Sequence, residues 1–355
     1  MIIFLVIIVI LALILQKVLI GKDLERVVGE HRPSVQVAEP GEPFQVQVTL
    51  ENQSRQFIPF LRVCENFGEG FFLIGDETER DSLGVCRVQF TTWLRPKQRL
   101  TRGIPVAISK RGRYVLREFQ LYSGDFLGLH ERMKTSGRFN EVVVAPKEIA
   151  AKQLNDMFGG FMGEVSVNRF IMEDPVLTLG YREYTGREPM KMISWSQSAR
   201  NGSLMVKKYD YTLEPTVAVI LNVDTGNEEQ EELLETCFSL ARSVCAMLEQ
   251  RGVKYSFSSN AIPAGAPFDP GVSREGLGQR HFMGVLEHLG RATYAYNVSM
   301  EKLLEKEGNQ GTAAGRILIT PGRGYESVQA LNRLREASSG NLLVLRATEV
   351  STWLS

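Results

Sequence analysis

The chain has 355 residues, 43% hydrophobic and 23% charged, with 41 Lys plus Arg against 41 Asp plus Glu. Length and composition allow two soluble domains and more and exclude a wholly disordered protein. The balanced charge removes any global reason to expect nucleic acid as a partner.

The chain opens on MIIFLVIIVILALIL, an unbroken apolar run. Counted through Ile20, it makes a helix about 30 Å long, enough to span a bilayer if Lys17 snorkels. A cleaved signal peptide needs a basic leading region and a small-residue cleavage site, and neither is visible. Residues 1–20 are therefore expected to be a transmembrane helix. Lys17, Lys22, Arg26 and Arg32 follow it. The positive-inside tendency then makes this a single-pass protein of the cell membrane with its soluble part in the cytoplasm.

Residues 21–34 read as a polar connector. From 34 to 145 the texture is β: VQVAEPGEPFQVQVTLENQS alternates around a Pro-Gly turn, and further short β-branched and aromatic runs follow. About seven strands with intervening turns suggest an immunoglobulin-like β-sandwich, a module that spaces or docks. The four cysteines, Cys64, Cys86, Cys237 and Cys245, lack zinc spacing and are expected as reduced thiols.

Residues 146–214 are expected to connect two domains. The Gly- and Met-rich NDMFGGFMGE reads as an irregular crossing with Phe158 and Phe161 exposed. Within this segment, Asp174–Tyr211 interleaves charges with aromatics at no clean period: Arg182, Glu183, Tyr184, Glu188, Lys191, Trp195, Ser198, Arg200, Lys207 and Tyr209. Guanidinium groups beside flat aromatics suit carboxylate or phosphate groups, or a partner protein. The competing and favoured expectation is a buried salt-bridge lattice with Glu183, Glu188, Asp174 and Asp210 as counter-ions.

From 215 to 355 strand and helix alternate. TVAVILNVD is apolar almost throughout, as in a covered parallel strand. In the helix after it, Leu233, Leu234, Cys237, Phe238, Ala241, Val244, Cys245 and Leu248 form one stripe. VKYSFSSN, RILIT and NLLVLRA are further strands, and the pattern argues for a doubly wound α/β domain. Ligands in such sheets bind beyond the carboxyl ends of the strands, where this chain has Asp224, Gly226 and Glu228. A D-x-S-x-S loop there would hold a divalent metal; with both hydroxyls absent, the expectation is no cofactor, and Asp224 and Asn227 are expected to cap the next helix. His281 and His288 share one helical face without metal-pair spacing, and GxSxG and GxxxxGK[ST] are absent. The residues thus support no named reaction.

GYREYTGREPMKMISWSQSARNGSLMVKKYDY resembles the signature of the "domain of unknown function 58" family. The matching residues are Gly180, Arg182, Tyr184, Glu188, Pro189, Lys191, Ile193, Trp195, Ser198, Ala199, Arg200, Leu204, Val206, Lys207 and Tyr209. The plan is similar as well: a membrane segment, a β-sandwich ending in Arg111, Gly112, Tyr114 and Asp125, Gly128, Leu129, then a domain like von Willebrand factor type A. Arg187 stands where many relatives have Gly, and Ser194 replaces the commoner Asp. Many relatives also carry two spans where this chain shows one. The resemblance implies no established enzymatic activity. It implies a membrane-tethered adaptor acting with a MoxR-type AAA+ ATPase or its client protein. Two other readings stay open: a metal-dependent binding module using Asp224 and Glu228, and an enzyme using Arg182, Glu183, Lys191 and Arg200 on an anionic substrate.

Overall fold

The computed structural model describes Phe4, Ile10 and residues 24–75, 79–80, 86–124, 131–150, 152–169, 178–186, 188–209, 216–226, 230–265, 274–309, 313–323, 326–338 and 341–354. Apart from Phe4 and Ile10, the expected membrane helix 1–20 lies outside the described residues. Among the described residues no helix is long and apolar enough to cross a membrane. The chain forms two compact units, residues 1–147 with Leu286–Ala292, and Glu148–Val285 with Thr293–Ser355.

The first unit is built from short strands: β1 (Val27–Pro33), β2 (Val37–Ala38), β3 (Phe44–Asn52), β4 (Ile58–Phe67), β5 (Phe71–Leu73), β6 (Glu79–Arg80), β7 (Cys86–Leu94), β8 (Arg99–Ile108), β9 (Gly112–Leu116), β10 (Phe119–Gly124), β11 (Glu131–Ser136) and β12 (Asn140–Val144). Two main sheets, β1–β3–β8–β5 and β11–β10–β4–β7–β6, lie beside a smaller one, β2–β12–β9. Pairing within the main sheets is antiparallel. In β3, Phe44, Val46, Val48 and Leu50 point inward while Gln45 and Gln47 face out. They join Leu61, Val63 and Phe67 of β4, Val88 and Phe90 of β7, and Val106 of β8 in one core. Two sheets closing on a shared apolar layer make a β-sandwich.

The sandwich begins earlier than expected. Residues read as a connector form β1, which buries Val27, Gly29 and His31. Glycine and histidine hold two inward positions, so no apolar alternation marks the strand. Gly29 is needed there: a Cβ would meet Phe119 Cζ at 2.6 Å. The His31 ring is fully buried, as is Glu65. His31 Nδ1 lies 3.1 Å from Glu65 Oε1 and Nε2 lies 2.9 Å from the Arg138 carbonyl oxygen. Residues 125–130, including Asp125, Gly128 and Leu129, lie outside the described residues. All four cysteines are free and buried.

The second unit runs α1 (Lys152–Arg169), β13 (Thr178–Glu183), α2 (Trp195–Asn201), β14 (Met205–Tyr209), β15 (Thr216–Leu221), α3 (Glu231–Gln250), β16 (Lys254–Ser259), β17 (Ala261–Pro263), α4 (Gln279–Arg291, whose last turns belong to the first unit), β18 (Ala292–Tyr296), α5 (Met300–Asn309), β19 (Gly315–Thr320), α6 (Val328–Ala337), β20 (Leu342–Arg346) and α7 (Ala347–Leu354). Its sheet, β16–β15–β19–β20, is parallel throughout. β15 and β19 are almost wholly buried, which explains their continuous apolar sequences. Met300, Leu303 and Leu304 of α5 and Leu334 of α6 pack on Ile220 and Leu318. The stripe read in α3 is buried, except for half-buried Leu233.

The crossing expected at NDMFGGFMGE, residues 155–164, lies instead within helix α1, and Phe158 and Phe161 are buried, not exposed. Gly159, Gly160 and Gly163 each weaken a helix by about 1 kcal/mol relative to Ala, which hid it. Tertiary packing prevails: Leu154, Phe158, Phe161 and Val165, spaced 4, 3 and 4, form a buried stripe. A Cβ on Gly315 would meet Phe161 Cζ and Val165 Cγ2, each at 2.7 Å, so β19 takes glycine where α1 crosses it.

Candidate functional site

The family-like segment folds as a hairpin with a short helix between its strands. β13 and β14 pair antiparallel, placing Tyr181 opposite Lys207, Arg182 opposite Val206 and Glu183 opposite Met205. The Ser194 amide donates to the Met205 carbonyl at 2.8 Å, and Ile193 bridges to Val206. Ser198 ties the unit together, its hydroxyl donating to the Ser194 carbonyl at 2.8 Å and accepting from the Met205 amide at 2.8 Å. Gly202, at φ +71°, ends α2 in the left-handed conformation that favours glycine. Among the described residues of this little fold, Ile193, Ser194, Met205 and Val206 are buried.

The charged and aromatic residues are the more exposed ones. Arg182, Glu183, Lys191, Trp195 and Arg200 are exposed; Tyr184, Glu188, Ser198 and Lys207 are half-buried. Among the described residues these side chains are exposed or half-buried within their own unit, and Asp174 and Asp210, two counter-ions of the expected buried lattice, are not among them. Met205 and Val206, consecutive in β14 and so on opposite faces of the hairpin, are both buried, while the charged side chains stay at the surface. The ion pair found among the described residues of this segment joins Arg182 to Glu188, which also accepts from the Thr185 amide at 3.1 Å and hydroxyl at 2.9 Å. Desolvation opposes ionisation of Glu188, but the bonds from Arg182 and Thr185 prevail and hold its pKa at about 2. Asp174, Arg187, Asp210 and Tyr211 lie outside the described residues, as does the Tyr209 side chain. Large apolar groups are exposed with the cations: Trp195 is 63% and Met190 68% exposed, beside Tyr181 and Leu204.

At the carboxyl edge of the parallel sheet, Asp224 does something other than expected. One carboxylate oxygen accepts from the Gly226 amide at 3.0 Å and the other from the Met300 amide at 3.2 Å. It thus caps α5, while Gln230 occupies the N-cap of α3 without a side-chain cap bond. Asn227 and Glu228 lie outside the described residues. Among the described residues no group of three or more His, Cys, Asp or Glu could hold a metal. Asp224 also raises the pKa of the Tyr296 phenol by its negative charge. Sequence reasoning missed the two asparagines here. The Asn222 amide donates to Thr320 at 3.3 Å; Asn260 donates to Asn222 at 2.9 Å and accepts from the Val223 amide at 2.8 Å. Both follow strands directly, in LNVD and SSNA, which was the available signal. All their amide contacts go to protein groups that shape the sheet edge.

His281 and His288 lie on α4, and the His281 ring meets Tyr255 edge-on with centroids 4.7 Å apart. A cleft of about 600 Å³ in the first unit is lined by Arg32, Arg113, Phe139, Glu141, Glu287 and Arg291, among others. Arg113 and Arg291 both bind Glu141, and Arg291 also binds Glu287. The hydrogen bond from Arg291 does most to hold the Glu141 carboxyl below its ordinary pKa. The cleft's charges therefore largely neutralise one another.

No family model matches this chain, and no curated protein matches it. Among solved structures, the cohesin module of a Clostridium perfringens family 33 glycoside hydrolase aligns at 13% identity and a TM-score of 0.26, over 33% of this chain and 97% of that module. The CARDB domain of a Pyrococcus furiosus protein, in complex with di-metal ions, aligns at 15% identity and a TM-score of 0.23, over 33% and 91%. AvmM, which catalyses macrocyclization in alchivemycin A biosynthesis, aligns at 12% identity and a TM-score of 0.21, over 35% and 92%. Similarity this low carries no argument, and the sandwich rests on its own strand pairing.

Proposed function

We propose that this chain is a membrane-anchored, non-enzymatic adaptor of the "domain of unknown function 58" kind, acting with a MoxR-type AAA+ ATPase in the assembly or maturation of other proteins. In this reading the sandwich is an immunoglobulin-like spacer, the parallel sheet belongs to a doubly wound domain of von Willebrand factor A type, and the hairpin is the gripping surface. One observation carries it: Trp195, Met190, Tyr181, Arg182, Lys191 and Arg200 are each exposed within one hairpin segment whose backbone is held by Ser198 and Ile193. Trp, Tyr, Met and Arg are the residues in which protein interfaces are enriched, and a rigid mount lowers the entropy lost on docking.

A photo-crosslinking residue at position 195, in native membranes, tests this. The expected adduct is with an AAA+ ATPase or its client, and Arg182→Ala with Arg200→Ala weakens it while thermal unfolding stays unchanged. A folded, membrane-resident protein that yields no such adduct refutes the adaptor reading.

A further inference from the structure

One end of the first unit is knit from two loops and the start of β1. The Asn52 side-chain amide donates to the Gln56 carbonyl at 2.8 Å and the Arg95 carbonyl at 3.0 Å. The Lys97 amide donates to the Ser54 carbonyl at 3.3 Å, and the Gln53 amide to the Arg26 carbonyl at 3.0 Å. The residues immediately before β1 are thus held at the same end as loops 53–57 and 95–98. On this end Phe57 and Trp93 are 45% and 47% exposed, with ring centroids 6.1 Å apart. The Arg95 guanidinium lies 5.4 Å from the Trp93 centroid. Arg26, Arg55, Arg95 and Lys97 are exposed at this end, and Glu25 is an exposed carboxylate of the entering turn. Lys97 has φ +60°, in the left-handed region that glycine favours. The Lys97 ammonium donates to the Gln53 carbonyl.

We infer that this aromatic and cationic end docks on the anionic phospholipid surface of the bilayer that holds residues 1–20, an inference resting on the anchor reading above. Four steps of chain separate Ile20 from Leu24. Fully extended they reach only about 14 Å, and the headgroup layer itself is about 5–8 Å thick. Whatever path Gly21–Asp23 take, Leu24 is confined near the headgroups once Ile20 is at the hydrocarbon edge. Tryptophan suits that layer, apolar on its faces and polar at its N–H. Each nearby cation strengthens attachment to anionic lipid by about fivefold in the docked-to-undocked ratio. A protein partner would not require the patch to sit at the membrane-proximal end; a lipid surface does.

The test uses the full chain with Trp195→Phe and Trp353→Phe, leaving Trp93 as the sole tryptophan, in vesicles of phosphatidylcholine with and without phosphatidylglycerol. Expected are flotation with both vesicles, and Trp93 emission that shifts to the blue and is quenched by headgroup-labelled lipid when phosphatidylglycerol is present. Arg55→Glu, Arg95→Glu and Lys97→Glu together should abolish the quenching, as should high salt, while flotation persists. Flotation with Trp93 open to aqueous iodide and untouched by labelled lipid overturns lipid docking and leaves the anchor standing. Trp93 shielded from both quenchers points to a protein occupant and also overturns it. Failure to float removes the anchor, and the docking proposal with it.

Discussion

Replacing Glu65 by Gln is expected to reverse the way the first unit's stability responds to pH. The two nitrogens of the buried His31 ring face two acceptors, the Glu65 carboxylate at 3.1 Å and the Arg138 carbonyl at 2.9 Å. Burial raises the pKa of the Glu65 carboxyl above its ordinary value, against the hydrogen bond and charge of His31; a neutral imidazole has one N–H, so once Glu65 is ionised both contacts are satisfied only by the imidazolium. Burial by itself would lower the pKa of His31; the Glu65 carboxylate, with help from the Arg138 carbonyl, outweighs it and raises the pKa above its ordinary value. A folded-state pKa above the unfolded one means the native protein binds the extra proton. The contribution is then full below the unfolded value of about 6.5 and is lost as pH rises through the folded value.

In Glu65→Gln the carboxylate is gone and burial, the largest influence on the ring, holds it neutral, with Nδ1 accepting from the Gln amide. The folded pKa now lies below the unfolded one, so stability is present above about pH 6.5 and is lost as pH falls. Breaking a buried pair outright costs about 3–5 kcal/mol; because Gln keeps one hydrogen bond, the cost should be near the lower figure in acid and smaller in mild alkali. For a unit of this size 3 kcal/mol corresponds to a Tm fall of roughly 12 °C. Urea unfolding followed through Trp93, with Trp195→Phe and Trp353→Phe, reads the sandwich in the full chain. His31→Gln with Glu65→Gln supplies the baseline for histidines elsewhere. Parallel pH profiles for the native protein and Glu65→Gln would refute the imidazolium–carboxylate assignment.

Gly315→Ala should push α1 away from β19 and cost about 1–3 kcal/mol by overpacking, seen as faster amide exchange across 152–169; unchanged exchange would mean the helix is not packed there. Ser198→Ala removes a donor to Ser194 and leaves the Met205 amide without its acceptor. A local loss of about 1–3 kcal/mol is expected, confined to exchange within 190–209 and sparing β15 and β19. Carboxyl NMR should find Glu188 ionised down to a pH of about 2, and Arg182→Ala should raise that midpoint; an unmoved midpoint would remove Arg182 as its partner.

What could be read from the sequence divides by how local the cause is. β3 shows itself because Gln45 and Gln47 alternate with Val46 and Val48, and β15 because a covered strand is apolar on both faces. β1 and α1 were hidden: inward Gly29 and His31 are explained only by Phe119 and Glu65, and the glycines of α1 mask a helix whose Phe161 and Val165 pack where β19 has Gly315. The same holds for Asp224, whose cap bond reaches Met300, 76 residues away. The central segment stood out as a segment, but its surroundings were not legible, because interleaved charges look alike whether they face a second domain or water. Its matching positions separate into two jobs. Ile193, Ser198 and Val206 hold the hairpin through buried packing and backbone bonds; Arg182, Lys191, Trp195 and Arg200 contribute little to that hold and face outward. Exposed side chains away from the core and caps usually change stability by less than about 0.5 kcal/mol. A surface mounted in this way can therefore be altered for one partner or another while its scaffold stays intact, a property that an adaptor surface needs and a buried fastener would lack.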